Sequence, residues 1–263
     1  MAGRRIGASV NKGCAASVTD RNEFCETRRE ALQAYLGNKA FVSSSQLRRF
    51  ARTGAPEASP YESEAPSATA MGEAFHSLVL EPLEFARSYL VMAHTGNAQR
   101  IESEHEAMRR HWLNAWQWTT LRNGRDALLR HRQAPVARWL AQGHKELSIY
   151  WGDDQNGRWK ARPDCFTDDM VLDLKTTRDC RTDPFRRTRE HYGYDLQAAH
   201  YVEAVSRLTG TTPRFAFLAI ELEPPYPVRV HELTAHELAA ARERLDSLKR
   251  SYLAALDSLA RGG

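Results

Sequence analysis

Two short segments hold the residue types that could do chemistry. Arg162-Pro163-Asp164 precedes Asp173-Leu174-Lys175, and Val171 and Leu172 make the second segment apolar. Placed on adjacent strands of one hairpin, Asp164 and Asp173 can grip a single divalent cation. Hard ions such as magnesium take oxygen ligands and keep several waters, so two carboxylates and a phosphate oxygen make a suitable shell. A cation held there lowers the pKa of water and so supplies a nucleophile. Asp173 and Lys175 are two apart on a strand and point to one face, which sets an ammonium where it can orient or deprotonate the attacking water and neutralise charge building on a phosphate. Asp164, Asp173 and Lys175 are therefore the expected catalytic residues of a metal-dependent phosphodiester hydrolysis. Read singly, Asp164 is a turn acid, and Asp173 with Lys175 an ion pair on a solvated strand. The apolar neighbours argue instead for an internal strand, where both charges cost free energy unless paired or bound to an ion.

Other candidates lie on helices. Met71, Ala74, Phe75 and Leu78 recur at helical spacing until Glu81-Pro82, and this helix carries Gly72 and His76. An imidazole can ligate a divalent ion, and Gly72, one turn away, removes a side chain that would crowd the approach. Gln197 falls on the stripe Tyr194, Ala198, Tyr201, Val205 and Leu208, so its amide must find partners in packed protein or in a cleft. Arg178, Arg181, Arg186, Arg187 and Arg189 cluster along the chain, as do Arg122, Arg125, Arg130, Arg132 and Arg138. Either group could track phosphates or be a solvated face, and Arg178, Arg186 and Arg187 are the expected substrate contacts. Glu146 opens the strand before the meander and could add a carboxylate near the site, directly or through water, but reads first as a surface acid. Cys165, opposite in alternation to Asp164, reads as a buried thiol. Cys14, Cys25, Cys165 and Cys180 form no C-x-x-C pair and no zinc or iron–sulphur spacing, so reduced thiols are expected.

The elements that must position these residues follow from periodicity. Leu147–Trp151, Trp159–Phe166 and Met170–Thr176 read as three strands of an antiparallel meander, with turns at 153–157 and at Asp168-Asp169. Helices are expected over 101–122, Pro184–His191 and Tyr194–Leu208. Strands follow at Arg214–Leu222 and Val228–Leu233, then a long helix with a capping box of Thr234 and Glu237. Residues 1–40 read as a partly ordered lead with only Glu30–Leu36 helical, and 41–263 as one domain. The fold class is α/β, a mixed central sheet of about five strands flanked by helices. With 42% hydrophobic and 27% charged residues and a net charge of +4, the composition is ordinary for a soluble globular chain. No apolar run approaches bilayer length, and the N-terminus lacks a secretory pattern, so a cytoplasmic protein without membrane contact is expected.

Pro163-Asp164 followed by Asp173-Leu174-Lys175 resembles the signature of the PD-(D/E)xK nuclease superfamily. Gly72-Glu73-Ala74-Phe75-His76 upstream and Gln197-Ala198-Ala199-His200-Tyr201 downstream follow in the matching order. More closely, Met71–His76 running into Leu80-Glu81-Pro82, Asp173–Thr177 and Tyr192–Tyr201 resemble the exodeoxyribonuclease VIII family of RecE-type phage recombination exonucleases, over about residues 41 to 235. That resemblance implies a restriction-endonuclease-like core, a metal site of His76, Asp164, Asp173 and Leu174, and substrate contacts from Gln197 and Tyr201. It implies Mg2+ as cofactor, with Mn2+ able to substitute. It also implies exonucleolytic digestion of double-stranded DNA from 5′ ends, leaving a 3′ single strand for recombination, a ring-shaped homo-oligomer, and an annealing protein as partner. A RecB-like repair nuclease without an iron–sulphur cluster and an inactive DNA-end-binding protein are the rival readings. The intact set His76, Asp164, Asp173 and Lys175 argues against the second.

Overall fold

The protein is described by a computed structural model covering residues 24–56, 70–91, 111–153 and 155–262. Cys14, residues 57–69, Asp154 and residues 92–110, with the first part of the helix expected over 101–122, lie outside the described residues.

The site is built around a five-stranded mixed sheet in the order β10 (Val228–Glu232), β9 (Arg214–Ile220), β8 (Met170–Thr176), β7 (Cys165–Phe166), β4 (His144–Lys145). β8 and β9 are parallel, joined through α7 (Thr182–Tyr192) and α8 (Tyr194–Thr209), while the other pairs are antiparallel. Parallel neighbours need such a helical crossover, and a sheet covered on both faces needs apolar residues at nearly every position. β8 shows the consequence. Met170, Leu172 and Leu174 pack into one core with α3 (Ala70–Leu80), α4 (Pro82–Ser88), α5 (Ala115–Leu129) and α6 (Val136–Gln142). Val171 on the opposite face joins a second core, formed with α2 (Ser44–Thr53), α8 and α9 (Ala235–Gly262). Asp173 and Lys175 share the Val171 face.

The expected three-strand meander is not one sheet. β5 (Ser148–Asp153) and β6 (Gly157–Ala161) pair with β1 (Phe24–Arg28) in a separate three-stranded sheet, while β7 and β8 lie in the large one. The physical reason lies in Arg162-Pro163-Asp164. Pro163 has no N–H to give a ladder, so the strand is interrupted there and the chain passes from one sheet to the other. The facing arm turns at the same level, where Glu146 adopts φ 49°, a left-handed conformation that is uncommon outside glycine. Its N–H donates to the Asp164 carbonyl at 3.2 Å, which keeps the arms in register around the corner.

Two further differences concern the ends of elements. Residues His111–Leu113 form strand β3, paired in parallel with β2 (Tyr89–Val91), where the expected helix over 101–122 would have continued, and a helix runs from Ala115; the stretch 101–110 lies outside the described residues. Asn114 forms a capping box with Gln117, which sets that start. Within the N-terminal lead, Phe24–Arg28 forms an edge strand and Leu32–Gly37 a short helix, α1.

Candidate metal centre and active site

The corner of the bent hairpin gathers the acids. Asp164 accepts the Leu174 N–H at 2.6 Å through Oδ2, and the same oxygen lies 2.7 Å from His76 Nε2. His76 projects from α3, whose start is closely packed because Gly72, Ala74 and Phe75 are buried. Its other nitrogen, Nδ1, is 3.5 Å from Glu146 Oε1. Donor atoms of His76, Glu146 and Asp164 all lie within 4.8 Å of one another, and the His76 side chain keeps 35% of its surface exposed, so the group is open to solvent.

Glu146 corrects the expectation of a surface acid. Its side chain is only 11% exposed, and its Oε2 accepts from Arg162 Nε at 2.6 Å. Arg162 is itself fixed by the Glu30 carbonyl at 2.8 Å and lies 3.6 Å from Glu81 Oε1. A signal for Glu146 was present in the sequence. The turn at 153–157 sets a register that pairs Ile149 with Ala161 and Lys145 with Cys165, and the same count places Glu146 across from Asp164.

Asp173 is fully buried, as expected of an internal strand. β7 and β8 pair Cys165 with Leu172, so the register carried one residue further sets Asp164 beside Asp173. Lys175 Nζ lies 2.5 Å from Asp173 Oδ2 and over the Tyr194 ring at 4.7 Å. Gln197 donates to Asp173 Oδ1 at 3.1 Å and to the Tyr201 hydroxyl at 2.9 Å, while Lys175 reaches Gln197 Oε1 at 3.5 Å. The partners demanded by the stripe position of Gln197 are thus active-site groups. Leu174 enters through its amide, with its side chain buried in the first core.

The charges follow from this packing. Burial opposes charge on His76, but Asp164 and Glu146 outweigh it and push its pKa up to about 9. Burial and the nearby Asp164 push Glu146 up to about 7 against the pull of His76 and Arg162. Burial likewise raises Asp173, to about 6, with Lys175 opposing. Asp164 is held below the usual carboxylate range because His76 overcomes its burial. Lys175, although buried, is raised by Asp173 and Asp164 and stays charged. The donor set suits a hard divalent cation: carboxylate oxygens with one imidazole nitrogen. Asp173 Oδ2 is buried and faces the Lys175 ammonium, and a carboxylate oxygen keeps a further lone pair that a cation can share.

The arginines separate into classes. Arg189 is buried, 2.9 Å from Asp195 and 2.7 Å from Glu237, and so belongs to the packing of α7 on α8 and α9. Arg181 pairs with Asp179, and Arg186 with Asp183 and Glu190, all on the surface. Arg178 and Arg187 are exposed. Cys165 is a buried free thiol, as expected, and Cys180 is buried as well; among the described residues no helix is long and apolar enough to cross a membrane.

Residues 43–259 match the family described as PDDEXK-like domain of unknown function (DUF3799). A search of curated proteins gives no match. Among solved structures, the chain is similar to one described as "Putative exonuclease" from Eubacterium rectale, at a TM-score of 0.58 and 17% identity over 87% of this chain and 88% of that one. The likeness agrees with the five-stranded mixed sheet and its flanking helices. Because the matched residues span most of the sequence and include every acid, base and amide of the site, the chain belongs to the PDDEXK-like domain family DUF3799.

Proposed function

We propose that this protein is a metal-dependent DNA exonuclease that hydrolyses double-stranded DNA from 5′ ends and leaves a 3′ single strand for recombination. The observation that carries the hydrolytic reading is the convergence of Asp164, Asp173 and Lys175 at the β7–β8 edge, with His76 2.7 Å from Asp164. His76, Asp164 and Asp173 would hold the cation, with Glu146 as a further donor and Leu174 fixing Asp164 through its amide. A divalent ion bound there supplies charge neutralisation at the phosphate and a lowered pKa for water. Lys175 keeps its proton beside Asp173 and is steadied by Gln197 and Tyr194, so it is placed to orient the attacking water and to stabilise charge on the phosphate oxygens. Gln197 and Tyr201 hold Asp173 from the α8 side.

Polarity, the recombination role, Mg2+ as the working ion with Mn2+ able to replace it, a ring-shaped homo-oligomer and an annealing partner rest on the resemblance of the motifs to exodeoxyribonuclease VIII. Duplexes labelled at the 5′ or the 3′ end, incubated with Mg2+ and sized over time, test activity and direction together. Asp173→Ala and Lys175→Ala are expected to lower the cleavage rate by on the order of 10²–10⁴-fold with the fold intact. Full activity in Asp173→Ala would falsify the site. Release of label from the 3′ end first would overturn the polarity and favour the RecB-like alternative.

A further inference from the structure

Next to Lys175 stands a group made of Tyr192, Tyr194 and Arg48, of which the hydrolytic machinery uses only the Tyr194 face under Lys175. Gly193, at φ 64°, ends α7 and begins α8, and this tight junction brings the two tyrosines that flank it together. The Tyr192 and Tyr194 rings stack with centroids 5.6 Å apart and planes 24° from parallel. Lys175 Nζ lies over the Tyr194 ring at 4.7 Å, so the stack adjoins the catalytic edge directly. Arg48, from α2, carries its guanidinium over the same ring at 5.7 Å and donates to the Tyr192 carbonyl at 3.0 Å. Its Nη2 reaches Ser45 Oγ at 3.4 Å, while its Nε is buried and makes no hydrogen bond.

From these observations, and resting on the nuclease reading above, we infer that Tyr192, Tyr194 and Arg48 form a nucleotide subsite: a base of the substrate strand stacks on Tyr192 and its phosphate meets Arg48. Both rings are half-buried, but Tyr194 packs against the core between Lys175 and Phe217 and supports the stack, whereas Tyr192 meets His191 at an interplanar angle of 84° and has ring surface to give. Base–aromatic stacking tolerates any sequence because every base has a π-face, which suits an enzyme that must digest DNA of any composition. An arginine fixed at one end by a backbone carbonyl, with a second hydrogen left on each terminal nitrogen, fits a phosphate through Nη1 and Nη2. The subsite thus takes one nucleotide near the phosphate being cut and helps hold the strand in line with Lys175.

The test measures binding of fluorescent duplexes in Ca2+ by anisotropy. Each duplex has a single abasic nucleotide at one of the terminal positions of either strand. For the wild type, removing the base at one position is expected to weaken binding about tenfold, the scale of one base–aromatic stack. Tyr192→Ala should bind the intact duplex about tenfold more weakly and lose that discrimination, while Tyr192→Phe keeps both. Tyr192→Leu, of similar bulk and without a π-face, should behave as Tyr192→Ala, and thermal melts confirm that each variant is folded. Unchanged discrimination in folded Tyr192→Ala and Tyr192→Leu, or no base-dependent position in the wild type, would overturn the subsite. If the wild type still cuts duplex DNA with Mg2+ in either case, only the subsite fails. Absence of both binding and cleavage removes the nuclease reading along with it.

Discussion

His76 carries its proton in the folded protein because two carboxylates surround it. Burial works against the charge, but Asp164 at 2.7 Å and Glu146 at 3.5 Å prevail and hold the pKa near 9. A metal ion needs the neutral imidazole, so below that pKa binding must first displace the proton. The sign is fixed: affinity rises with pH until about 9, by up to tenfold per unit, and a proton is released for each ion bound. Calorimetric titration with Mn2+ in two buffers of different ionisation enthalpy reads that release. His76→Ala is expected to weaken binding and to reduce the proton release, and a wild-type affinity that stays level from about pH 7 to 9 would remove His76 from the ligand set.

The bent hairpin is the element on which the site depends, and its corner tolerates little displacement. α6 ends at Gly143, where a Cβ would come within 2.3 Å of Cys165 Sγ and 3.0 Å of the Phe166 carbonyl. β7 consists only of Cys165 and Phe166, and Asp164 immediately precedes it, so any outward shift of β7 is passed to the metal site. Gly143→Ala is therefore expected to cost about 1–3 kcal/mol of stability by overpacking. Activity should fall by more than the unfolded fraction explains, since Asp164 moves relative to His76. Urea melts and cleavage rates measured at a temperature where the variant is folded check both parts, and wild-type stability would show that β7 shifts freely.

For the molecule as a whole, acid sensitivity and the salt dependence of DNA affinity come from groups outside the metal site. His200 of α8 packs on Trp151 of the three-stranded sheet, donates to the Lys160 carbonyl at 2.9 Å, and is lowered by burial to about 3. Its pKa in the unfolded chain is higher, so the unfolded state takes up the proton first. The stabilisation is complete above about pH 6.5 and is lost as pH falls toward 3, at ~1.4 kcal/mol per unit. Between pH 7 and 5 the stability gap between wild type and His200→Gln should shrink by about 2 kcal/mol in denaturant melts, and an unchanged gap would contradict the neutral, buried state. DNA affinity should weaken steeply with salt as phosphate contacts release counterions. Arg178 and Arg187 are exposed, whereas Arg181 and Arg186 already face carboxylates, so neutralising the first pair should flatten the salt slope more than neutralising the second. Equal slopes for the two double variants would make this cluster a solvated face.

Much of the fold and most of the site could be read from spacing and pattern. The run from Val171 to Lys175 identifies an internal strand with two costly charges, and the stripe from Tyr194 to Leu208 identifies a helix whose buried amide must be satisfied; both are local periodicities that burial imposes on neighbouring residues. The split of the meander at Pro163 was only half legible, because a proline announces that a ladder ends without saying which sheet receives the next strand. Glu146 shows the limit most clearly, since counting from the turn places it across from Asp164 without revealing that it is buried. Its type and neighbours are those of a surface acid, and its burial arises from the register of a hairpin bent around a corner, from Arg162 reaching it at 2.6 Å, and from a helix delivering His76 from a distant part of the chain. In the same way the basic cluster from 178 to 189 is uniform in sequence, and only the packing of α7 against α8 and α9 buries Arg189 between Asp195 and Glu237. Sequence alone determined which residues are costly to bury and at what period they recur. The tertiary structure decided which of them meet, because long-range pairing depends on where a strand changes sheets and on what the opposite elements present there.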